Sequence, residues 1–168
     1  LADAGYGDRA FPRERTSVIL GRGNYIGAGT SRLINITRGA QQLIESLGLL
    51  LPELGAEKLA QIKREFQAQC GVYGPDTAIG LVPNLMASRI ANRLDLQGSA
   101  YTLDAACASA LVAVDHACRE LADGRSDLSL AGGVHLCHDL VFWSVFCQLG
   151  ALSRTQAIRP FDRRADGL

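Results

Sequence analysis

The chain has 168 residues and a mass of 17.9 kDa, the size of one ordinary domain. Apolar residues make up 48% and charged residues 20%, which excludes the disordered and fibrous classes. Lys plus Arg and Asp plus Glu each number 17, so no net positive charge is available to displace counterions from a nucleic acid, and no apolar run is long enough for a membrane span.

Thr16 to Gly21 is a β-branched, apolar run and reads as a buried strand. The glycine-rich stretch Gly21 to Gly29 follows. A dinucleotide loop needs glycine at the position of Ile26, so the stretch is read as a tight turn permitting close backbone packing. From Thr37 the spacing turns helical, with Ala40, Leu43, Ile44 and Leu47 on one stripe, until Gly48 and Pro52 interrupt it. A second amphipathic helix is expected over Ala56–Gln69. Its inner stripe is Leu59, Ile62 and Phe66, and Glu57, Lys58, Lys63, Arg64 and Glu65 stay in solvent. Tyr73–Asp76 is loop material, and a third helix is expected over Val82–Leu94 with Leu85, Met86, Ile90 and Leu94 turned inward.

The last third alternates strand, helix and strand. Ala100–Leu103 reads as a strand, and Asp104–Cys107 is a tight passage of small residues. A helix then runs from Cys107 to about Asp123, where Gly124 stops it. Leu111, Val114, Cys118 and Leu121 share one face, while Ala106, Ala108, Ala110, Ala113 and Ala117 allow close approach on others; burial on most sides is expected, with Cys118 as a packing residue. Ser126–Val134 reads as a second buried strand and Asp139–Leu149 as a helix rich in aromatic residues. The pattern indicates an α/β layered domain.

The chain starts at Leu1, its single Met is Met86, no secretory signal is visible, and it stops in loop-like sequence at Leu168. An internal piece of a longer protein is the simplest reading. The five cysteines (Cys70, Cys107, Cys118, Cys137 and Cys147) contain no Cys-x-x-Cys pair, which points to reduced thiols and a cytoplasmic setting. His135-Leu136-Cys137-His138 has no second ligand pair to complete a zinc site, so no metal is expected.

Cys107 is the residue with a chemical meaning. The first amides of a helix are unpaired and carry partial positive charge, so a thiolate placed there is stabilised. The same amides can hold the oxyanion formed when a thiolate attacks a carbonyl. A small cysteine filling space among alanines is the other reading of this position. His116, nine residues along the same helix, faces the opposite side and cannot act as its base, and nothing in the spacing of His135 or His138 directs them to it.

Four stretches carry a resemblance to a known family: Ala91–Gly98, Tyr101–Ala110, Gly124–Val134 and Ile158–Gly167. In this order and spacing they resemble the β-ketoacyl synthases (ketosynthases) of the thiolase-like superfamily. The Asp104-Ala105-Ala106-Cys107-Ala108-Ser109 variant, with Gly80–Asn84 upstream, looks most like synthases of type I polyketide and polyunsaturated fatty acid assembly. The resemblance covers nearly the whole chain. It implies part of a layered αβαβα fold, roughly its N-terminal half, with the Cys107 helix between sheet layers. Residues 1–168 would be a partial synthase domain, 24–75 a family-variable insertion and 99–168 the nucleophile-bearing core.

The resemblance further implies a decarboxylative Claisen condensation in polyketide or fatty acid biosynthesis, an acyltransferase activity of the parent protein. Cys107 would be the nucleophile, with its backbone N–H as one arm of the oxyanion hole. Substrates would arrive on the phosphopantetheine of an acyl carrier protein, with no bound cofactor. The catalytic histidines would lie in the family's other half, so these 168 residues alone are expected to be inactive. A homodimer pairing the strand at Ser99–Leu103 with its twin is implied as well. A non-condensing chain-length subunit, which typically lacks the cysteine, and a thiolase-like acyl-CoA enzyme are the alternatives.

Overall fold

The computed structural model describes residues 1–7, 9–23, 25, 27–72, 74, 77, 80–135 and 139–168. The regular elements among them are β1 (Thr16–Gly21), α1 (Ala28–Ile34), α2 (Ala40–Leu50), α3 (Gly55–Gln69), α4 (Leu85–Leu94), β2 (Ala100–Leu103), α5 (Ser109–Ala122), β3 (Leu128–Gly133) and α6 (Leu140–Gln148). The chain divides into two compact units, Leu1–Asn24 with Ala78–His135, and Tyr25–Thr77 with Leu136–Leu168.

The first unit is built on a parallel sheet of order β2-β1-β3. β1 is central, and its run of β-branched residues is buried on both faces, as a parallel strand requires. Successive side chains point to opposite sides. Val18 packs with Ala87 and Ala91 of α4 and with Leu96, whereas Ile19 packs with Ala113 and Ala117 of α5. The sheet is therefore covered by α4 on one face and α5 on the other, and α5 carries the chain from β2 across β1 to β3. Full burial of side chains the size of Val18 and Ile19 stabilises by roughly 1.5–3 kcal/mol each.

Two helix faces differ from the sequence expectation, for one physical reason. On α4 the buried residues are Ala87 and Ala91, and Ile90 is exposed. On α5 the buried residues are Ser109, Ala113, Ala117 and Glu120, while Leu111 is 77% and Leu121 43% exposed and Val114 and Cys118 face outward with them. Both helices approach β1 along their small residues, since a row of alanines lets a helix backbone come close to a sheet. Ile90 on α4 and Leu111, Val114 and Leu121 on α5 are thereby turned away, while Leu94 packs against the Val18 cluster as expected. Within this unit α5 has a sheet on one side only, and the expectation of burial on most sides, with Cys118 as a packing residue, does not hold.

In the second unit α1 passes through a π-helical turn, Asn35–Gly39, into α2. After Pro52–Leu54, α3 folds back along it: Lys63 Nζ donates to Gln41 Oε1 (2.8 Å) and Gln67 Nε2 to the Ile36 carbonyl (2.7 Å). The stripe Leu43, Ile44 and Leu47 and the stripe Leu59, Ile62 and Phe66 are the more buried sides of the two helices, as expected. In α6 the Phe142 ring is buried, edge-on to Tyr25 and Trp143. Much of the Tyr73–Asp76 loop lies outside the described residues, as do Leu136, Cys137 and His138.

Candidate active site

β2 ends at Leu103, and the chain turns sharply before α5 begins at Ser109. Three local bonds shape that turn. The Ala106 N–H donates to Asp104 Oδ1 (2.8 Å), which supports the positive φ of 51° at Ala106, a conformation L-residues rarely adopt. The Ala105 N–H donates to Ser109 Oγ (2.9 Å), and that hydroxyl donates to the Ala106 carbonyl (2.6 Å). Ser109 is buried and staples both sides of the turn. A single turn of 3-10 helix, Ala106–Ala108, bridges it to α5 and holds Cys107 in its middle.

Cys107 is exposed, one turn before a 14-residue helix, and its N–H has no hydrogen-bond acceptor among the described residues. Its place at the mouth of the sheet depends on absent side chains. A Cβ on Gly21, the last residue of β1, would lie 2.2 Å from the Ser109 carbonyl. A Cβ on Gly133, the last residue of β3, would lie 2.5 Å from Ala110 Cβ. Glycine at these two strand ends lets the first turn of α5 rest on the sheet. The result is an accessible thiol and a free amide at the positive end of a helix, suited to attack on a carbonyl and to holding the oxyanion that results.

His116 falls where the spacing put it. His116 is turned to β2, with Nδ1 3.2 Å from Tyr101 Oη, and is not a partner of Cys107. His135 is exposed, and His138 lies outside the described residues. No group of three or more His, Cys, Asp or Glu side chains among the described residues could hold a metal ion. Cys70, Cys107, Cys118 and Cys147 are all free thiols, and Cys137 lies outside the described residues.

In the second unit, Asp166 gathers the segment that follows α6. Its carboxylate accepts from Ser153 Oγ (2.7 Å), Thr155 Oγ1 (3.1 Å) and the backbone N–H of Arg154 (3.1 Å) and Thr155 (3.2 Å). The Ser153 hydroxyl foremost, then Thr155 and Arg154, hold this carboxyl below the usual range. Asp162 is likewise lowered, by the Arg164 guanidinium and amide.

The family model for the β-ketoacyl synthase N-terminal domain matches residues 1–168. The chain belongs to the β-ketoacyl synthase family. Among curated proteins, it is 42% identical over 94 residues to a mycocerosic acid synthase-like polyketide synthase of Mycobacterium tuberculosis, covering 56% of this chain and 4% of that protein. It is 44% identical over 84 residues to the phthioceranic/hydroxyphthioceranic acid synthase of Mycobacterium bovis (50% and 4%), and 35% over 91 residues to the non-reducing polyketide synthase pks11 of Talaromyces marneffei (54% and 4%). The stretch shared with these relatives is thus a small part of each. Among solved structures, the ishigamide ketosynthase/chain length factor matches with a TM-score of 0.53 and 20% identity, over 90% of this chain and 34% of that one. At that identity the likeness speaks for the fold, a ketosynthase fold of mixed α/β type.

Sequence reasoning placed Cys107 at the turn and missed what builds the turn. Asp104 two residues ahead of Ala106 is the spacing of an Asx turn, and Ser109 in the first helical turn is a capping residue type. Both signals were available. The buried Glu120 was not foreseen, because a glutamate on a helix is ordinarily solvated.

One further feature bears on assembly. Asn84 lies along the outer edge of β2: its Nδ2 donates to the Ala100 carbonyl (3.4 Å) and its Oδ1 accepts from the Thr102 N–H (2.9 Å). A side chain here occupies ladder positions that a further strand would otherwise use. No helix among the described residues is long and apolar enough to cross a membrane.

Proposed function

We propose that this domain belongs to an acyltransferase that lengthens an acyl chain by decarboxylative Claisen condensation, with Cys107 as the acyl acceptor. The observation that carries the reading is the exposed Cys107 on its strand-to-helix turn, with a free N–H at the same residue. The Cys107 thiolate attacks the carbonyl of an acyl thioester carried on the phosphopantetheine of a carrier protein. The new C–S bond forms, the carrier thiol leaves, and the transient oxyanion lies against the Cys107 N–H. A malonyl carrier then loses CO2, and its carbanion attacks the Cys107 thioester. A C–C bond forms, the Cys107 C–S bond breaks, and the thiolate is restored.

Stabilising the enolate needs donors that His116, engaged with Tyr101, does not supply; the family resemblance assigns them to other parts of the parent protein. Carrier protein as partner, a cytoplasmic setting and a polyketide or fatty acid product belong to the same reading. So does a homodimer through the outer edge of β2, in which Asn84 gives up its two bonds to that strand. The likeness to a ketosynthase/chain length factor raises a non-condensing role; the cysteine at the turn favours the condensing one. The test is a condensation assay on the full protein with acyl and malonyl carrier thioesters. Cys107→Ala should abolish formation of the extended β-ketoacyl product, and undiminished product from that variant would refute the reading.

A further inference from the structure

Nine residues after Cys107 the helix carries His116, and thirteen after it Glu120, neither of which the proposed chemistry uses. Six residues before Cys107, β2 carries Tyr101. These three meet. Tyr101 Oη lies 3.2 Å from His116 Nδ1, and Glu120 stands beside them. Glu120 is only 8% exposed, and its Oε2 accepts from Ser126 Oγ (3.0 Å). Together with Arg119 and Arg125 the three residues line a cavity of about 190 Å³.

A buried carboxylate is costly unless it is well bonded, and its neighbours lose most when one partner is removed. Burial first, then the Glu120 charge, raises the Tyr101 phenol above its ordinary value, against a smaller pull from Arg125, so the phenol keeps its proton. The outer arginines are engaged at the rim, Arg119 with Asp115 (2.8 Å) and Arg125 with Asp123 (2.6 Å), which leaves Tyr101 and His116 as partners inside. The chain from Tyr101 through the turn to His116 is therefore a closed loop. Its two ends are tied by a polar bond between strand and helix, and Cys107 stands at its bend.

We propose that Tyr101 and His116 form a clamp that fixes α5 against β2, making them positioning residues for Cys107. This rests on the reading of Cys107 as the acyl acceptor. His116 acts through Tyr101, Tyr101 acts through β2, and the turn between strand and helix keeps the Cys107 thiol and N–H in register.

The experiment compares the alkylation rate of Cys107 by iodoacetamide with that of Cys118, the exposed thiol on the same helix, in the full protein. Tyr101→Phe and His116→Leu should each slow Cys107 about fivefold, the factor that one net hydrogen bond supplies. Cys118 should be unchanged, which a general loosening of the helix would not allow. The double variant should be no slower than either single one, because both remove the same bond. His116→Asn, whose carboxamide can stand in for Nδ1, should restore the rate. Equal rates in wild type and Tyr101→Phe, or losses that multiply in the double variant, would overturn the clamp. The acyl-acceptor reading fails separately, by absence of acyl transfer to Cys107 in the wild type.

Discussion

Gly21 and Ser109 touch backbone to backbone, and a single methyl group between them would lie 2.2 Å from the Ser109 carbonyl. That contact sets the height of the Cys107 turn above the sheet. Gly21→Ala should cost about 3 kcal/mol or more, since neither backbone is a flexible tip that can move aside. Gly132→Ala is the control: a Cβ there meets nothing within 4 Å, and the cost should stay within about 0.5 kcal/mol. Urea denaturation of both variants measures the difference; equal midpoints would contradict the account.

Ser109 closes the turn from within. Ser109→Ala removes the acceptor of the Ala105 N–H and the donor to the Ala106 carbonyl at a buried site, so a loss of about 1–3 kcal/mol is expected. The same variant should slow acyl transfer to Cys107 beyond what the fraction unfolded explains, because Ala106 loses a bond that supports its left-handed backbone. Acylation kinetics at a temperature where both proteins are folded would show it.

The strands were legible because their signal is unambiguous: Thr16–Gly21 is a continuous β-branched run, and Ala100–Leu103 coincides with β2 residue for residue. Helices α2 and α3 were legible because each buries its larger apolar side chains, the stripes of Leu43, Ile44 and Leu47 and of Leu59, Ile62 and Phe66. Ile90 on α4 and the large apolar stripe of α5 were misread for the converse reason, whereas Leu94 packs inward as expected. Periodicity weights large apolar side chains, and here Ala87, Ala91, Ala113 and Ala117 mark the inner face while Ile90 and Leu111 point away. The place of Cys107 just ahead of a helix was readable in the same way. The bonds of Asp104, Ser109 and Tyr101 depend on geometry that spacing alone only suggests.

Asp166 gives a pH dependence with a definite sign. Its folded pKa is depressed, so its contribution to holding the 153–157 backbone is complete above the ordinary carboxylate value of about 3.9 and is lost as pH falls through the lower folded value. The protection of the Thr155 amide, its NMR exchange rate taken relative to the intrinsic rate at each pH from about 6 to about 2, should fall only below that ordinary value. Asp166→Asn should show low protection across the whole range. A Thr155 amide already released near neutral pH in the wild type would contradict the assignment.

The most direct measurement is the site of acyl transfer. The full protein is incubated with an acyl carrier thioester, digested, and its cysteine peptides are read by mass spectrometry. The acyl mass should sit on Cys107 and Cys107→Ala should carry none, because among the described cysteines Cys107 alone stands at a strand-to-helix turn with an unpaired N–H. Acyl label on Cys70, Cys118, Cys137 or Cys147 with Cys107 unmodified would contradict it.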